Sequence, residues 1–338
     1  MKQTMFMKIY IIPCLFISPL FTISCNSWFS IWMSMEFNMI TFIPFLIFFN
    51  KYYKELSMKY FIIQTISSSI LLMSSNFLLI NLNTKINLMN FIMMMMNLSL
   101  FLKLGVSPFH FWFINIMKNL NWINCLILST WQKIIPMMTL MYINYYKLIY
   151  MIIFMCSLTG AFMGLNHQSI RLILSYSSIN HMSWMLMNML ISNLMWMLYF
   201  SIYFISNATI MLFLNKYKIF YINQLFFINL NFNYKIYMLM NFLTLTGLPP
   251  MMGFLMKWMT IYFTIWNKFI IMIIIMIMMS ILTFIFYTRI SINLFMNLNL
   301  NNKILLINKF HNKKYLKLNN ILIMSLPINL WIISLWMF

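Results

Sequence analysis

Apolar residues follow one another along most of this chain in runs of about 20 residues, with short polar segments between them. A helix of about 20 residues is long enough to cross the apolar interior of a membrane. The strict alternation of apolar and polar residues that is typical of the strands of a membrane barrel is absent from the sequence. The pattern therefore predicts an all-α polytopic membrane protein.

Eleven such spans are predicted along the chain. The fourth and ninth are longer than a straight crossing requires, and each contains glycine and proline in its interior. A polar connection at 294–318 separates the tenth span from the last. The spans cover approximately residues 5–25, 27–49, 57–80, 87–117, 122–146, 148–167, 171–190, 194–214, 236–264, 269–293 and 319–337.

Positive charge is distributed unevenly between the two sides that these spans define. Sixteen of the 22 basic residues lie at the N-terminus or beside the connections after even-numbered spans, whereas only Lys85, Lys147 and Lys268 lie on the other side. Because basic residues favour the inner side, the N-terminus is predicted there and the C-terminus outside. The net charge of +20 does not indicate a nucleic-acid partner, because these residues form no common basic face.

The amino-acid composition indicates an organellar genome, which changes how the N-terminal sequence is interpreted. There are 40 methionines but only five glycines and two acidic residues, a bias typical of strong AT pressure on codons. The chain enters an apolar run at once, without a transit segment, as expected for a protein made inside the organelle. No cysteine belongs to a CxxC pair, so free thiols and no metal site are predicted for Cys14, Cys25, Cys125 and Cys156.

Four ionisable residues lie inside predicted spans, namely Glu36, Lys103, Lys133 and Lys257. A charged residue at the centre of a membrane helix costs about 2.5–3.5 kcal/mol, so such residues suggest an ion or proton site. Lys257 is nearer a span end than the other lysines, and its side chain has the alternative of reaching the membrane surface.

Two interrupted spans carry one of these lysines each. The first interruption is KLGVSPFHFW at 103–112, and the second is TGLPPMMGFLMKW at 246–258. Proline removes a backbone donor and frees carbonyls that lipid cannot satisfy, which predicts hydrated polar gaps, although a packing kink is an alternative. The residues that break the helices are Gly105, Pro108, Gly247, Pro249, Pro250 and Gly253.

The position of these interruptions, fourth in each set of five spans, predicts two inverted repeats, which is a transporter feature. The first repeat covers residues 1–146 and the second covers 147–293. The connection at 294–318 would then lie on the inner side, and residues 319–338 would form a C-terminal transmembrane helix.

Five motifs in order carry a family resemblance: MEFNMITFIP at 35–44, KLGVSPFHFW at 103–112, TWQKIIP at 130–136, GLNHQSIRLILSYSSINHMSW at 164–184 and GLPPMMGFLMKW at 247–258. Together they resemble the mitochondrial NADH–ubiquinone oxidoreductase chain 2 family, the antiporter-like proton-pumping subunit of respiratory complex I. The composition is similar to that of invertebrate members, such as those of insects. The resemblance implies two inverted five-helix units followed by a final helix.

The resemblance also implies a proton relay through Glu36, Lys103, Lys133 and Lys257 halfway across the membrane. Burial favours the neutral forms of acids and lysines, so each site can exchange protons and the set titrates together. A structural ion pair between Glu36 and Lys103 is the alternative. His110 and His181 are two further candidates for a water wire, with hydrogen-bonded core histidines as the alternative.

The implied function is that of a core membrane-arm subunit, which translocates protons across the mitochondrial inner membrane as part of NADH:ubiquinone reductase. The sequence has no nucleotide, flavin or iron–sulfur motif, so NADH, flavin, iron–sulfur clusters and ubiquinone are expected on other subunits. The expected partners are other membrane-arm and accessory subunits and phospholipids. A free-standing cation/proton antiporter and a structural subunit with inert lysines remain as alternatives.

Overall fold

The computed structural model describes residues 2–49, 53–80, 86–143, 145–227, 232–249 and 251–295. This part of the chain consists of α-helices joined by short connections, with a short 3₁₀ helix and an isolated antiparallel bridge between Ser169 and Tyr221. Pro250, most of the predicted 294–318 connection and the predicted C-terminal helix at 319–338 lie outside the described residues.

The chain divides into two compact units, Met1–Cys156 and Ser157–Phe338. The helices that lie in the first unit are α1 (Lys2–Ser24), α2 (Trp28–Phe49), α3 (Lys54–Ile80), α4 (Ile86–Leu104), α5 (Phe111–Asn119), α6 (Trp122–Ser129) and α7 (Trp131–Leu140). The division falls within α8 (Tyr146–Leu165).

The second unit contains five further α-helices and the 3₁₀ helix at Ile222–Phe227. The α-helices are α9 (Ile170–Ile191), α10 (Asn193–Tyr217), α11 (Phe232–Thr246), α12 (Met252–Trp266) and α13 (Ile270–Phe295).

Each of the first ten predicted spans corresponds to one helix or to two consecutive helices. Among the described residues, five helices are long and apolar enough to cross a membrane by themselves: Trp28–Ile47, Lys54–Ile80, Tyr146–Leu165, Asn193–Tyr217 and Ile270–Leu294. The fourth predicted span is the pair α4 and α5, and the ninth is the pair α11 and α12. The protein is therefore a helical membrane protein. These five helices alone do not account for the eleven spans predicted from the sequence.

The fifth predicted span differs from expectation because it is also interrupted. Helix α6 ends at Ser129 and α7 begins at Trp131, with Thr130 between them at φ −121° and ψ −69°. The Thr130 hydroxyl donates to the Leu126 carbonyl at 2.6 Å, a local side-chain bond of the kind that bends helices. The Trp131 indole N–H donates to Leu15 O at 2.9 Å and ties the start of α7 to α1.

Apolar side chains cover the outside of the helices, and many polar side chains lie inside. Large exposed side chains include Leu20, Ile40 and Ile271, as expected of surfaces that face lipid. Buried serines donate back to carbonyls three or four residues earlier, as Ser67 does to Gln64. These bonds within one helix satisfy the serine hydroxyl groups without a partner from another helix.

Helix α9 is the most enclosed element of the second unit. Nineteen of its 22 residues are buried, including many serine, asparagine and histidine side chains. A β-carbon on Gly160 of α8 would lie 2.7 Å from the backbone nitrogen of Asn180, and one on Gly164 would lie 2.9 Å from the Phe286 ring. Glycine therefore permits α8 to pack directly against α9 and α13.

Candidate functional site: buried lysines beside interrupted helices

Helix α4 ends at a glycine cap immediately after Lys103. Gly105 has φ +64° and donates its N–H to Leu102 O at 3.2 Å, while the Val106 N–H donates to Phe101 O at 3.4 Å. These two bonds form a Schellman motif, in which glycine adopts the left-handed conformation without steric cost. Lys103 thus lies in the last turn of α4, and Pro108 lies in the connection that follows.

Helix α11 ends in the same way in the second unit. Gly247 has φ +76° and donates to Thr244 O at 3.2 Å, and the Leu248 N–H donates to Leu243 O at 3.4 Å. Pro249 follows in the connection, and α12 begins at Met252. The predicted interruptions are therefore present in both units, and both begin with the same glycine cap.

Gly253, in the first turn of α12, also has a steric role. A β-carbon at this position would overlap the carbonyl of Thr244 in the last turn of α11. The two half-helices therefore approach each other so closely that only glycine fits between them.

Carbonyls freed by the interruptions accept hydrogen bonds from side chains beyond or beside each gap. The Trp112 indole N–H donates to Leu102 O at 3.1 Å, and the Gln64 amide donates to Lys103 O at 3.5 Å. In the second unit, Lys257 Nζ donates to Thr246 O at 2.6 Å. Lys257 therefore caps the preceding half-helix, where the negative end of the helix dipole favours a cation.

Lys103 and Lys133 line one cavity in the first unit, although 30 residues separate them in the sequence. Their exposed fractions are only 8% and 3%. Lys103 Nζ lies 3.1 Å from the Met35 sulfur, and Lys133 Nζ lies 4.9 Å from the centre of the Phe113 ring. The cavity offers about 20 Å³ to the centres of water-sized molecules, which is enough for one water, since that requires roughly 10–15 Å³.

Glu36 is half-buried on α2 and does not line this cavity. It forms no ion pair with Lys103, and the carboxylate pair found among the described residues is the exposed one between Lys59 and Glu55. Glu36 nevertheless directly follows Met35, whose sulfur contacts Lys103 Nζ. The alternative of a structural Glu36–Lys103 ion pair therefore does not describe this conformation.

Two buried amide side chains, Asn38 and Gln132, also line this cavity. Asn38 of α2 and Gln132 of α7 form two hydrogen bonds with each other, and the Tyr60 hydroxyl donates to Gln132 Oε1 at 3.2 Å. Each amide lies close in sequence to a charged residue, because Gln132 directly precedes Lys133 and Asn38 follows Glu36 by two residues. This closeness is the sequence feature that could have pointed to the two amides. Nothing local in the sequence pairs these two helices.

His181 and Lys257 line a second cavity, which lies in the second unit and is also about 20 Å³ in volume. The His181 ring nitrogen Nδ1 lies 2.9 Å from the Tyr199 hydroxyl. Lys257 is 7% exposed, and its Nζ lies 5.6 Å from the centre of the Trp184 ring. Two predicted site residues are thus brought together, and the side chain of Lys257 does not reach the surface.

His110 takes a different position, between the α4 interruption and the start of α5. Its Nδ1 lies 3.2 Å from the carbonyl of Pro108, and its ring stacks on Phe111 at 4.4 Å between centres. It lines neither of the two cavities described above. Its membership of a water wire stays a prediction.

Metal-ligating residues do not cluster in the described ranges, where no group of three or more His, Cys, Asp or Glu side chains could hold an ion. None of Cys14, Cys25, Cys125 and Cys156 is part of a disulfide bond.

Comparison with known proteins identifies relatives along most of the chain. It is 40% identical to NADH-ubiquinone oxidoreductase chain 2 of Anopheles gambiae, over 90% of this chain and 91% of the mosquito protein. It is 37% identical to the protein of the same name from Locusta migratoria, over 84% of each chain. These insect relatives confirm the resemblance that the five sequence motifs indicate.

Solved structures share the fold at lower identity. One chain of respiratory complex I from Thermus thermophilus superposes with a TM-score of 0.75 at 16% identity, covering 84% of this chain and 69% of the bacterial one. A chain of the Mrp complex from Dietzia gives 0.73 at 14% identity, covering 84% and 60%. Residues 25–283 match the family model described as NADH:quinone oxidoreductase/Mrp antiporter, TM. The chain belongs to this transmembrane family, and within it to the NADH-ubiquinone oxidoreductase chain 2 group.

Proposed function

We propose that this chain is a core membrane-arm subunit of respiratory complex I and translocates protons across the mitochondrial inner membrane. The observation that carries the proposal is the burial of Lys103, Lys133 and Lys257 inside helical units, each against a cavity large enough for water. Buried lysines are costly in a membrane protein, and a cavity beside each supplies a route for proton exchange.

The first unit supports a transfer between two lysines. A water molecule in the shared cavity would accept a proton from the ammonium group of Lys103 while the neutral amine of Lys133 takes one from the water. Glu36 would set the charge state of Lys103, because an ionised carboxylate stabilises a nearby ammonium group and a protonated one does not. Lys257, beside His181, would be the terminal member of the relay.

The finer architecture is part of this proposal. We assign eleven spans, with two inverted repeats at 1–146 and 147–293, the N-terminus in the matrix and the C-terminus in the intermembrane space. The shared glycine caps after α4 and α11 support the repeat. Arg289 donates to the carbonyls of Leu165 and His167 at the end of α8, which supports the prediction that Arg289 and Arg171 lie on the same side of the membrane.

The energy for pumping would come from outside this chain. NADH, flavin, iron–sulfur clusters and ubiquinone would be bound by other subunits of the complex, which carry out the oxidation and reduction. Other membrane-arm and accessory subunits and phospholipids would cover the exposed apolar faces of the helices.

The test is proton uptake per NADH oxidised by the assembled complex in sealed vesicles. Lys103→Met and Lys133→Met should each lower this ratio severely, by roughly tenfold or more, because each removes a proton carrier. Lys118→Met is the matched control, since Lys118 is exposed at the end of α5. If both interior variants pump as the control does, the lysines are inert and the chain has a structural role.

The second candidate function is that of a free-standing cation/proton antiporter. The observation in its favour is the fold that this chain shares with a chain of the Mrp complex. The isolated chain in vesicles should then exchange sodium or potassium for protons. Absence of exchange, together with pumping by the intact complex, would support the complex I role. The high identity to chain 2 proteins over nearly their whole length favours that outcome.

A further inference from the structure

Asn38 and Gln132 form a reciprocal amide pair between α2 and α7. Asn38 Nδ2 donates to Gln132 Oε1 at 2.7 Å, and Gln132 Nε2 donates to Asn38 Oδ1 at 3.3 Å. Both side chains are buried, and 94 residues separate them in the sequence. Two bonds between the same side chains fix the relative position of two helices more tightly than a single bond would.

Two hydroxyl groups hold the pair in this orientation. The Tyr60 hydroxyl donates to Gln132 Oε1 at 3.2 Å, and the one proton of the Ser18 hydroxyl is shared between Leu15 O at 2.9 Å and Asn38 Oδ1 at 3.1 Å. Rotating one amide by 180° while the other stays in place would set nitrogen against nitrogen and oxygen against oxygen. The two amides therefore keep matching orientations, and both side chains line the cavity.

The pair is placed between two members of the proposed relay. Asn38 follows Glu36 by two residues on α2, and Gln132 directly precedes Lys133 on α7. The interruption at Thr130 separates the short helix α7 from α6, so α7 begins two residues before Lys133. A displacement of α2 would thus be passed to Lys133 through the amide pair.

We infer that Asn38 and Gln132 are positioning residues that couple the helix of Glu36 to the position of Lys133, in parallel with the route through Lys103. Carboxamide groups do not exchange protons near neutral pH, so the pair orients the carriers and transfers no proton itself. The inference rests on the proposed function, because it assumes that Glu36 and Lys133 are proton carriers.

The experiment measures proton uptake per NADH oxidised, and its dependence on pH, in vesicles that contain the assembled complex. Asn38→Leu and Gln132→Leu should each lower the ratio by roughly fivefold, because loss of a buried pair displaces the carriers. The combined variant should be no worse than the more affected single variant, since both remove the same pair. The exchanged variant, Asn38→Gln with Gln132→Asn, keeps two amides of the same total length and should recover at least half of the ratio.

Asn124→Leu is the matched control, a buried amide on α6 whose side-chain atoms have no hydrogen-bond partner in the described structure. The leucine variants at the pair should also shift the pH at which pumping is half-maximal, because the surroundings of Lys133 change. A purely structural role would lower the amount of complex and leave the pH profile per complex unchanged.

The outcomes separate this inference from the proposed function. If Lys133→Met abolishes pumping while Asn38→Leu and Gln132→Leu behave as Asn124→Leu does, the inference is wrong and the proposed function stands. Failure of the exchanged variant to recover, or an unchanged pH profile, would also overturn the inference. If Lys133→Met pumps normally, the proposed function itself is wrong.

Discussion

The interior lysines differ in what their ammonium groups contact. Lys103 faces the sulfur of Met35, Lys133 faces the ring of Phe113, and Lys257 bonds the carbonyl of Thr246. A sulfur atom is a weaker partner for a cation than a carboxylate, which would hold the charge in place. At the scale of single residues, the contact between Lys103 and Met35 is therefore compatible with the proposed change in the charge of Lys103.

Glu36→Gln tests whether Glu36 has an electrostatic role without a structural one. Because no ion pair joins Glu36 to Lys103, the variant should assemble normally while its proton uptake per NADH falls severalfold. The amount of complex on native gels and the pumping ratio measure the two effects. Loss of assembly would contradict this, since breaking a buried ion pair costs about 3–5 kcal/mol.

Lys257→Met should affect stability as well as pumping. The Thr246 carbonyl would lose a buried donor, at a cost of about 1–3 kcal/mol. We expect a lower melting temperature of the complex by differential scanning, together with reduced pumping. Lys268→Met, at an exposed lysine after α12, is the control and should change stability by about 0.5 kcal/mol at most. An unchanged melting temperature in Lys257→Met would show that the capping bond contributes nothing.

At the scale of elements, the caps that end α4 and α11 depend on the left-handed backbone of Gly105 and Gly247. Helices α10 and α12 end with the same bonds, but there Lys218 at φ 54° and Lys268 at φ 65° occupy the left-handed position. The same backbone conformation thus occurs with glycine at two interruptions and with lysine at two helix ends.

Substitutions at these caps should have opposite signs. Gly247→Ala should destabilise by about 1 kcal/mol from backbone strain alone, and further because its β-carbon would lie 2.8 Å from Lys257 Cδ. Lys218→Gly should stabilise by roughly 0.4–1 kcal/mol, since glycine relieves the strain there. Thermal unfolding of the two complexes measures both changes. A destabilised Lys218→Gly variant would mean that its side chain matters more than its backbone.

The elements differ in how far the sequence predicts them. The gaps after Lys103 and before Lys257 follow from glycine and proline, whose backbone properties are local. The gap at Thr130 has neither residue, and the bond from Trp131 to Leu15 that lies beside it is made only in the folded unit. The Asn38–Gln132 pair could not be predicted for the same reason, because 94 residues separate its members.

At the scale of the whole molecule, large apolar side chains are exposed along the described helices, and most of the exposed lysines lie near helix ends. The predicted orientation places Lys54 and Lys218 on the matrix side and Lys147 and Lys268 on the opposite side. All four are exposed in the described structure. Their accessibility to reagents that cannot cross the membrane therefore tests the orientation directly.

Acylation with an impermeant reagent should distinguish the two sides. In mitoplasts, we expect modification of Lys147 and Lys268, and in inverted inner-membrane vesicles we expect modification of Lys54 and Lys218. Mass spectrometry of the recovered chain identifies the sites, and Lys133 serves as the internal control because its side chain is buried. The reverse distribution would show that the orientation is inverted.

The scarcity of glycine and the tight packing of the helices are connected in this protein. Each of its five glycines lies where a β-carbon would come within 3.0 Å of another atom: Gly105, Gly160, Gly164, Gly247 and Gly253. Glycine therefore occurs in this chain only at places where the backbone has no room for a side chain, so replacing any of the five requires a neighbouring group to move.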